Sequence, residues 1–92
     1  VVNDRQSSYR VRGSKELIPS GMSDDGLATT IHWPPGLSIP AIYALDSHGN
    51  EAIVNGAMRE GAFVVDGIAP RFIFRSGKLK ATAVRQKGKV RR

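Results

Sequence analysis

Apolar residues recur at spacing two along most of the chain, and turn residues interrupt them at intervals of about eight to twelve positions, the signature of short half-buried strands. Tyr9 and Val11 alternate with Ser8, Arg10 and Arg12, which predicts a short, edge-like strand ended by Gly13. Leu27, Thr29, Ile31 and Trp33 fall on one face of a second strand, with Ala28, Thr30 and His32 on the other. Pro34 and Pro35 end it, because neither can donate to a ladder. Residues 39–46, "IPAIYALD", are apolar on both faces and read as a central strand, and "DSHGN" then supplies hairpin chemistry before "EAIV". "AFVVD" (62–66) is a further strand, and "RFIFRSGKLKATAV" is a hairpin about Ser76-Gly77 with Phe72 and Phe74 on one face and Arg71, Ile73 and Arg75 on the other.

Asn55-Gly56 supports two readings. It is a two-residue hairpin signal between "EAIV" and "AMRE", or it marks a longer strand bent by a bulge at Gly56. Seven or eight strands result, with no helix. The fold class expected is all-β, an antiparallel β-sandwich of Ig-like general architecture. A small barrel is the alternative, and the long loops around residues 13–26 and 34–38 favour the sandwich.

At 92 residues the chain forms one domain. The sandwich is expected to occupy residues 1–84, and residues 85–92 to form a basic, disordered tail. Cysteine is absent, which removes disulfides, thiolate metal sites and cysteine nucleophiles together. No apolar run approaches the ~20 residues of a membrane-spanning helix. The opening "VVNDRQSSYR" has neither an initiator methionine nor a signal-peptide core and reads as the start of a fragment.

The formal net charge of +6 is unevenly spread. All eight acidic residues precede position 67, alongside five basic ones, whereas nine Lys and Arg and no acid follow. The excess peaks in "RQKGKVRR", a candidate phosphate or headgroup contact that salt would weaken.

Asp24 and Asp25 followed by Gly26 could offer oxygens to Ca²⁺ or Mg²⁺. Such a site needs further oxygen donors, and "DDGLATT" holds no other acid, so a turn with positive φ at Gly26 is favoured. His32 and His48 are the only histidines, and neither has an acid–base partner implied by spacing. Trp33 beside "PPG" could be a stacking platform, but its parity with Leu27 and Ile31 favours the core. No nucleophile, base and orienting group can be named together, so an enzyme is not expected, and neither a metal nor a cofactor is implied.

The order of motifs resembles the carboxy-terminal domain of the TrbG/CagX family, the ninth VirB component of bacterial type IV secretion systems. The matching elements are Tyr9 and Gly13, Pro19 before "MSDDG", the block "IPAIYALDSHGNEAIVN", and "GAFVVDGIAPRFIFRSGK", together spanning about residues 9–79. The resemblance implies a periplasmic β-sandwich in the outer-membrane core ring of a secretion or conjugation system. It also implies a short outer-membrane lipoprotein wrapped against the domain, a larger channel-forming core subunit beside it, and a ring homo-oligomer in the full assembly. Asp24, Asp25 and Gly26 take turn roles in this picture, and Asp46, Gly49 and Glu51 are hairpin residues.

Three departures from the family pattern matter. Gly56 stands where an aromatic residue is expected after the asparagine of "IVN". The last strand runs into Arg85, Gln86 and a basic run instead of an apolar or asparagine-containing end. A chain without cysteine cannot tie the lipoprotein on by a disulfide, so pairing must be non-covalent.

Edge strands carry unpaired backbone groups that another chain can satisfy. Tyr9, Val11, Leu17 and Ile18 are the candidate partner-binding residues, with Asp24, Asp25, Gly26, Trp33 and Gly49 as turn and structural positions. A second reading, from another class, is a small basic β-barrel that binds nucleic acid through its C-terminal hairpin and tail.

Overall fold

The computed structural model describes residues 7–36 and 38–86. The strands are β1 (Ser7–Gly13), β2 (Gly21–Asp24), β3 (Thr29–His32), β4 (Ala41–Leu45), β5 (Glu51–Ile53), β6 (Gly56–Arg59), β7 (Ala62–Val65), β8 (Arg71–Ser76) and β9 (Leu79–Gln86), with one 3-10 turn at Lys15–Leu17. All pairings are antiparallel, in the order β5-β4-β8-β9-β1-β2-β3-β7-β6. The sheet curls into two layers, β5-β4-β8-β9-β1 and β2-β3-β7-β6, which face each other as a sandwich.

Two places join the layers. At one, β5 and β6 stand at opposite ends of the ladder yet are separated only by Val54 and Asn55, so the chain passes from one layer to the other there. Val54 N–H donates to Ile42 C=O on one layer, and Asp66 N–H donates to Asn55 C=O on the other. Asn55-Gly56 is therefore a bend within a strand that switches sheets, not a hairpin. A Cβ on Gly56 would lie 2.7 Å from both Phe63 Cε2 and the Val64 carbonyl oxygen, so the bend brings backbone against a ring where only glycine fits. The other junction is the β1–β2 ladder.

Parity built the core. Phe72 and Phe74 of β8, Ile42 of β4, and Ala81 and Ala83 of β9 face Ile31, Trp33 and Val65 of the other layer. The two alanines leave room over β9. Tyr9 reaches across that strand to Phe72, ring centroids 5.7 Å apart, and the Trp33 ring meets Phe74 edge-on at 5.2 Å across the layers.

Several expectations change. Among the described residues there are nine strands, not seven or eight. β4 is paired on both sides but is one strand from the end of the ladder, and its outer face is partly open. Thr29, Ile31 and Trp33 do point inward, whereas Leu27 is 79 % exposed because it belongs to the turn before β3. β9 continues to Gln86, two residues into the stretch expected to be tail, and residues 87–92 lie outside the described residues.

Candidate functional site, a seam between two strands

β1 is an edge over only part of its length. It pairs with β9 from Ser8 to Gly13, but with β2 only through Ser7 opposite Asp24 and Ser8 opposite Ser23. From Tyr9 onward the strands diverge, and the connection through residues 14–20 bridges their far ends. That connection is anchored by Ser14 N–H donating to Lys80 C=O and Ser20 N–H donating to His32 C=O, which leaves the free side of β1 uncovered by backbone hydrogen bonds among the described residues.

The closed end of the seam is locked by a buried carboxylate. Asp24, 3 % exposed, accepts four hydrogen bonds: from Tyr9 Oη at 2.6 Å, Arg85 Nε at 2.7 Å, Arg85 Nη2 at 3.0 Å and the Gly26 N–H at 2.9 Å. Burial alone would raise its pKa. The hydrogen bonds from Arg85, Tyr9 and Gly26 outweigh that and hold the carboxyl below the ordinary aspartate value. Burial and the bond to Asp24 push the Tyr9 phenol upward, and the same carboxylate raises Arg85. One side chain thus ties β1, β9 and β2 together where the two layers meet.

Asp25 does the turn work expected of it. Its Oδ1 accepts from the Leu27 and Ala28 N–H groups, both at 2.9 Å, and Gly26 takes φ +91°, which only glycine adopts without strain. The sequence predicts a turn and structural role for Asp24, and its bond from Gly26 fits the turn. Its larger role is the ion pair. No group of three His, Asp or Glu among the described residues could hold a metal ion. Gly49 sits in the β4–β5 turn and donates its N–H to Asp46 C=O at 3.0 Å, while Asp46 Oδ1 accepts from His48 and Asn50 N–H. His32 lies on the exposed face at the end of β3.

The four residues assigned to partner binding divide. Tyr9 and Val11 are half-buried and pack against the core from the seam side. Ile18, 36 % exposed, stands at the open end. Leu17, by contrast, is 3 % exposed and part of the core: the 3-10 turn tucks it beneath β8 and β9, so it supports the rim from inside and offers no surface to a partner.

Arg85 was missed, although β9 parity could have found it. Ala81, Ala83 and Arg85 alternate on the inner face, so a cation there demands an acid opposite. Also missed was an open furrow of about 600 Å³ on the outer face of β1 and β9, flanked by Arg10, Arg12, Lys80, Thr82, Val84 and Gln86.

The fold and the seam define a two-layer all-β module with a half-open strand edge. The chain belongs to the CagX family of conjugal transfer proteins, whose model matches residues 2–86. It is 28 % identical over 74 residues to Protein virB9 of Agrobacterium fabrum (strain C58), covering 80 % of this chain and 25 % of that protein. It is 31 % identical over 88 residues to the type IV secretion system protein PtlF of Bordetella pertussis, covering 96 % of this chain and 32 % of that one. Against the type IV secretion system protein virB9 of Bartonella quintana the identity is 32 % over 73 residues, 79 % of this chain and 25 % of the relative. The chain spans about a quarter to a third of the length of these curated relatives.

Proposed function

We propose that this domain is a structural subunit of a type IV secretion or conjugation system, placed in the periplasm as part of the outer-membrane core. In this reading it captures a segment of a short lipoprotein as an added strand along β1, and the lipid holds the domain at the membrane. A larger channel-forming subunit and further copies of the chain complete the ring. Family membership and the names of the relatives support the secretion role.

The observation that carries strand capture is the asymmetry of β1. Among the described residues Arg10–Gly13 have ladder partners on β9 and none on the opposite side, while Val11 packs on the core at the same rim and Ile18 is exposed there. An incoming strand would satisfy the open backbone groups and bury alternate side chains in the seam. The locked end at Asp24 sets where the added strand must stop.

The test is amide hydrogen exchange on the labelled domain, with and without a synthetic peptide of the cognate lipoprotein. Slowed exchange confined to β1 residues 10–13 and the facing end of β2 is the expected result, with Ile18→Glu weakening binding. Protection along β5 or β6 instead, with β1 unchanged, would place the partner on the other rim and refute this assignment.

A further inference from the structure

β1 presents two different faces to anything paired with it. Tyr9 and Val11 point into the seam, whereas Arg10 and Arg12 point outward, opposite Val84 and Thr82 of β9. Among the described residues the outward cations have no acid of their own. Among the described residues the ion pairs are Arg85 with Asp24, and Arg75 with Glu51 through bonds of 3.0 and 3.1 Å, so Arg10, Arg12, Lys80 and Arg71 carry uncompensated charge on one sheet face. Arg71 lies in the same cross-strand row as Arg10, with Val84 between them. The furrow of about 600 Å³ runs among Arg10, Arg12 and Lys80, beside the uncovered edge of β1.

We propose that the strand captured at this edge is acidic on alternate residues, with its carboxylates on the outer face against Arg10 and Arg12 and its apolar residues in the seam against Val11. This rests on the strand-capture reading and adds the chemistry of the occupant. The spacing follows from the pleat. Side chains two residues apart on an extended chain are ~7 Å apart on the same face, so carboxylates at alternate positions match guanidinium groups at alternate positions. Directly opposed residues bring their Cβ atoms to within about 4.5–5.5 Å, which long Arg and Glu side chains close easily. The intervening residues of the added strand point inward, where Val11 and Met22 flank the seam. An acid–apolar–acid segment therefore satisfies both faces, and a register slip of one residue would bury its carboxylates and expose its apolar side.

Nucleic acid is the rival occupant of a cationic surface. The furrow among Arg10, Arg12 and Lys80 is lined by Thr82, Val84 and Gln86 and by no aromatic side chain on which a base could stack, and Tyr43 on the same sheet face lies two strands from β9 beneath the Arg75 guanidinium, which favours the peptide.

The experiment uses two synthetic peptides of one pattern, apolar residues at alternate positions and either Glu or Lys between them, titrated into the wild-type chain and into Arg10→Glu/Arg12→Glu. Both arginines are exposed, so the variant retains the fold. Wild type should bind the Glu peptide about tenfold more tightly than the Lys peptide, with slowed exchange at residues 10–13, and the variant should reverse the order. Equal affinity for the two peptides, or an order unchanged in the variant, overturns the acidic pattern while strand capture stands. If neither peptide protects β1, strand capture fails and this inference fails with it. Displacement of the Glu peptide by an oligothymidine 20-mer at equal concentration would assign the cations to phosphate and overturn the proposal.

Discussion

Replacing Arg85 by methionine isolates the lock at the closed end of the seam. The carboxylate of Asp24 is fully buried, its side chain 0 % exposed, and among the described residues Arg85 supplies two of its four hydrogen bonds and its only countercharge. Removing one partner of a buried pair strands the other, at a cost of about 3–5 kcal/mol. That is a large part of the ~5–15 kcal/mol available to a domain of this size. With a urea m-value of about 1.5 kcal/mol/M, the unfolding midpoint should fall by about 2–3 M at pH 7. Fluorescence of Trp33, the only tryptophan and a core residue, reports the transition.

The pH dependence gives the sharper check. In the parent, Asp24 titrates below its unfolded value, so its contribution is present above about pH 4 and lost as pH falls through the folded pKa. Arg85 is the strongest of the influences that lower it, acting against burial, so in Arg85→Met the folded pKa moves up. A protonated Asp24 no longer needs a countercharge. The deficit should therefore be greatest at neutral pH and shrink toward about pH 3. Asp25 and Asp46 are also held low by backbone hydrogen bonds, but they are common to both proteins and cancel in the difference. Arg85→Lys keeps the charge but loses the two-pronged geometry, and should cost about 1–2 kcal/mol. A deficit for Arg85→Met below about 1 kcal/mol, or one equal at the two pH values, would refute the reasoning.

Three further substitutions probe the fold that holds the seam. Gly13→Ala sets a Cβ 2.4 Å from the Lys80 carbonyl oxygen and 2.6 Å from Ala81 Cα at φ +131°, where neither backbone can yield, so it should cost more than about 2 kcal/mol in urea titration. Gly56→Ala meets the Phe63 ring and the Val64 carbonyl at 2.7 Å, and should lower stability by about 1–3 kcal/mol; an unchanged thermal midpoint would show that the layer switch does not depend on glycine. Trp33→Phe keeps an aromatic ring against Phe74 and forfeits no hydrogen bond, since Trp33 Nε1 has no partner among the described residues, so it should cost about 1–2 kcal/mol where Trp33→Ala costs about 3–5.

The sheet layers were readable because parity is a local property. Phe72, Phe74, Ile31 and Trp33 fell on the core face as alternation required, and turns at Asp25-Gly26 and Asp46–Asn50 followed from side chains that bond their own backbone. What alternation could not supply was which strand neighbours which. Asn55-Gly56 carried a hairpin signal, yet Gly56 pairs with Val65 and Ile53 pairs with Tyr43, because tertiary pairing on two different layers overrode a local turn preference. Leu17 looked like exposed apolar surface beside Ile18, and only the 3-10 turn separates the two, sending one inward and the other out. Arg85 was hidden by its neighbours: a cation at the head of a basic run reads as tail until β9 carries it opposite Asp24, 61 residues away.

The Asp24 network also explains why the seam opens where it does. Ser8 is the last β1 residue with a partner on β2, and the next residue, Tyr9, turns its hydroxyl inward to Asp24. β2 is thereby pinned to β1 at its C-terminal end only. Slipping β2 by one residue would carry Asp24 to the outer face and leave the inward Arg85 without a countercharge, so the register of the β1–β2 ladder is set by charge as much as by backbone pairing. Toward the other end of β2 no comparable contact exists among the described residues: Gly21 has no side chain, and Met22 packs against the core without pairing with β1. A strand edge that is fixed at one end and unclaimed along the rest can accept a partner strand without the domain first giving up a ladder of its own.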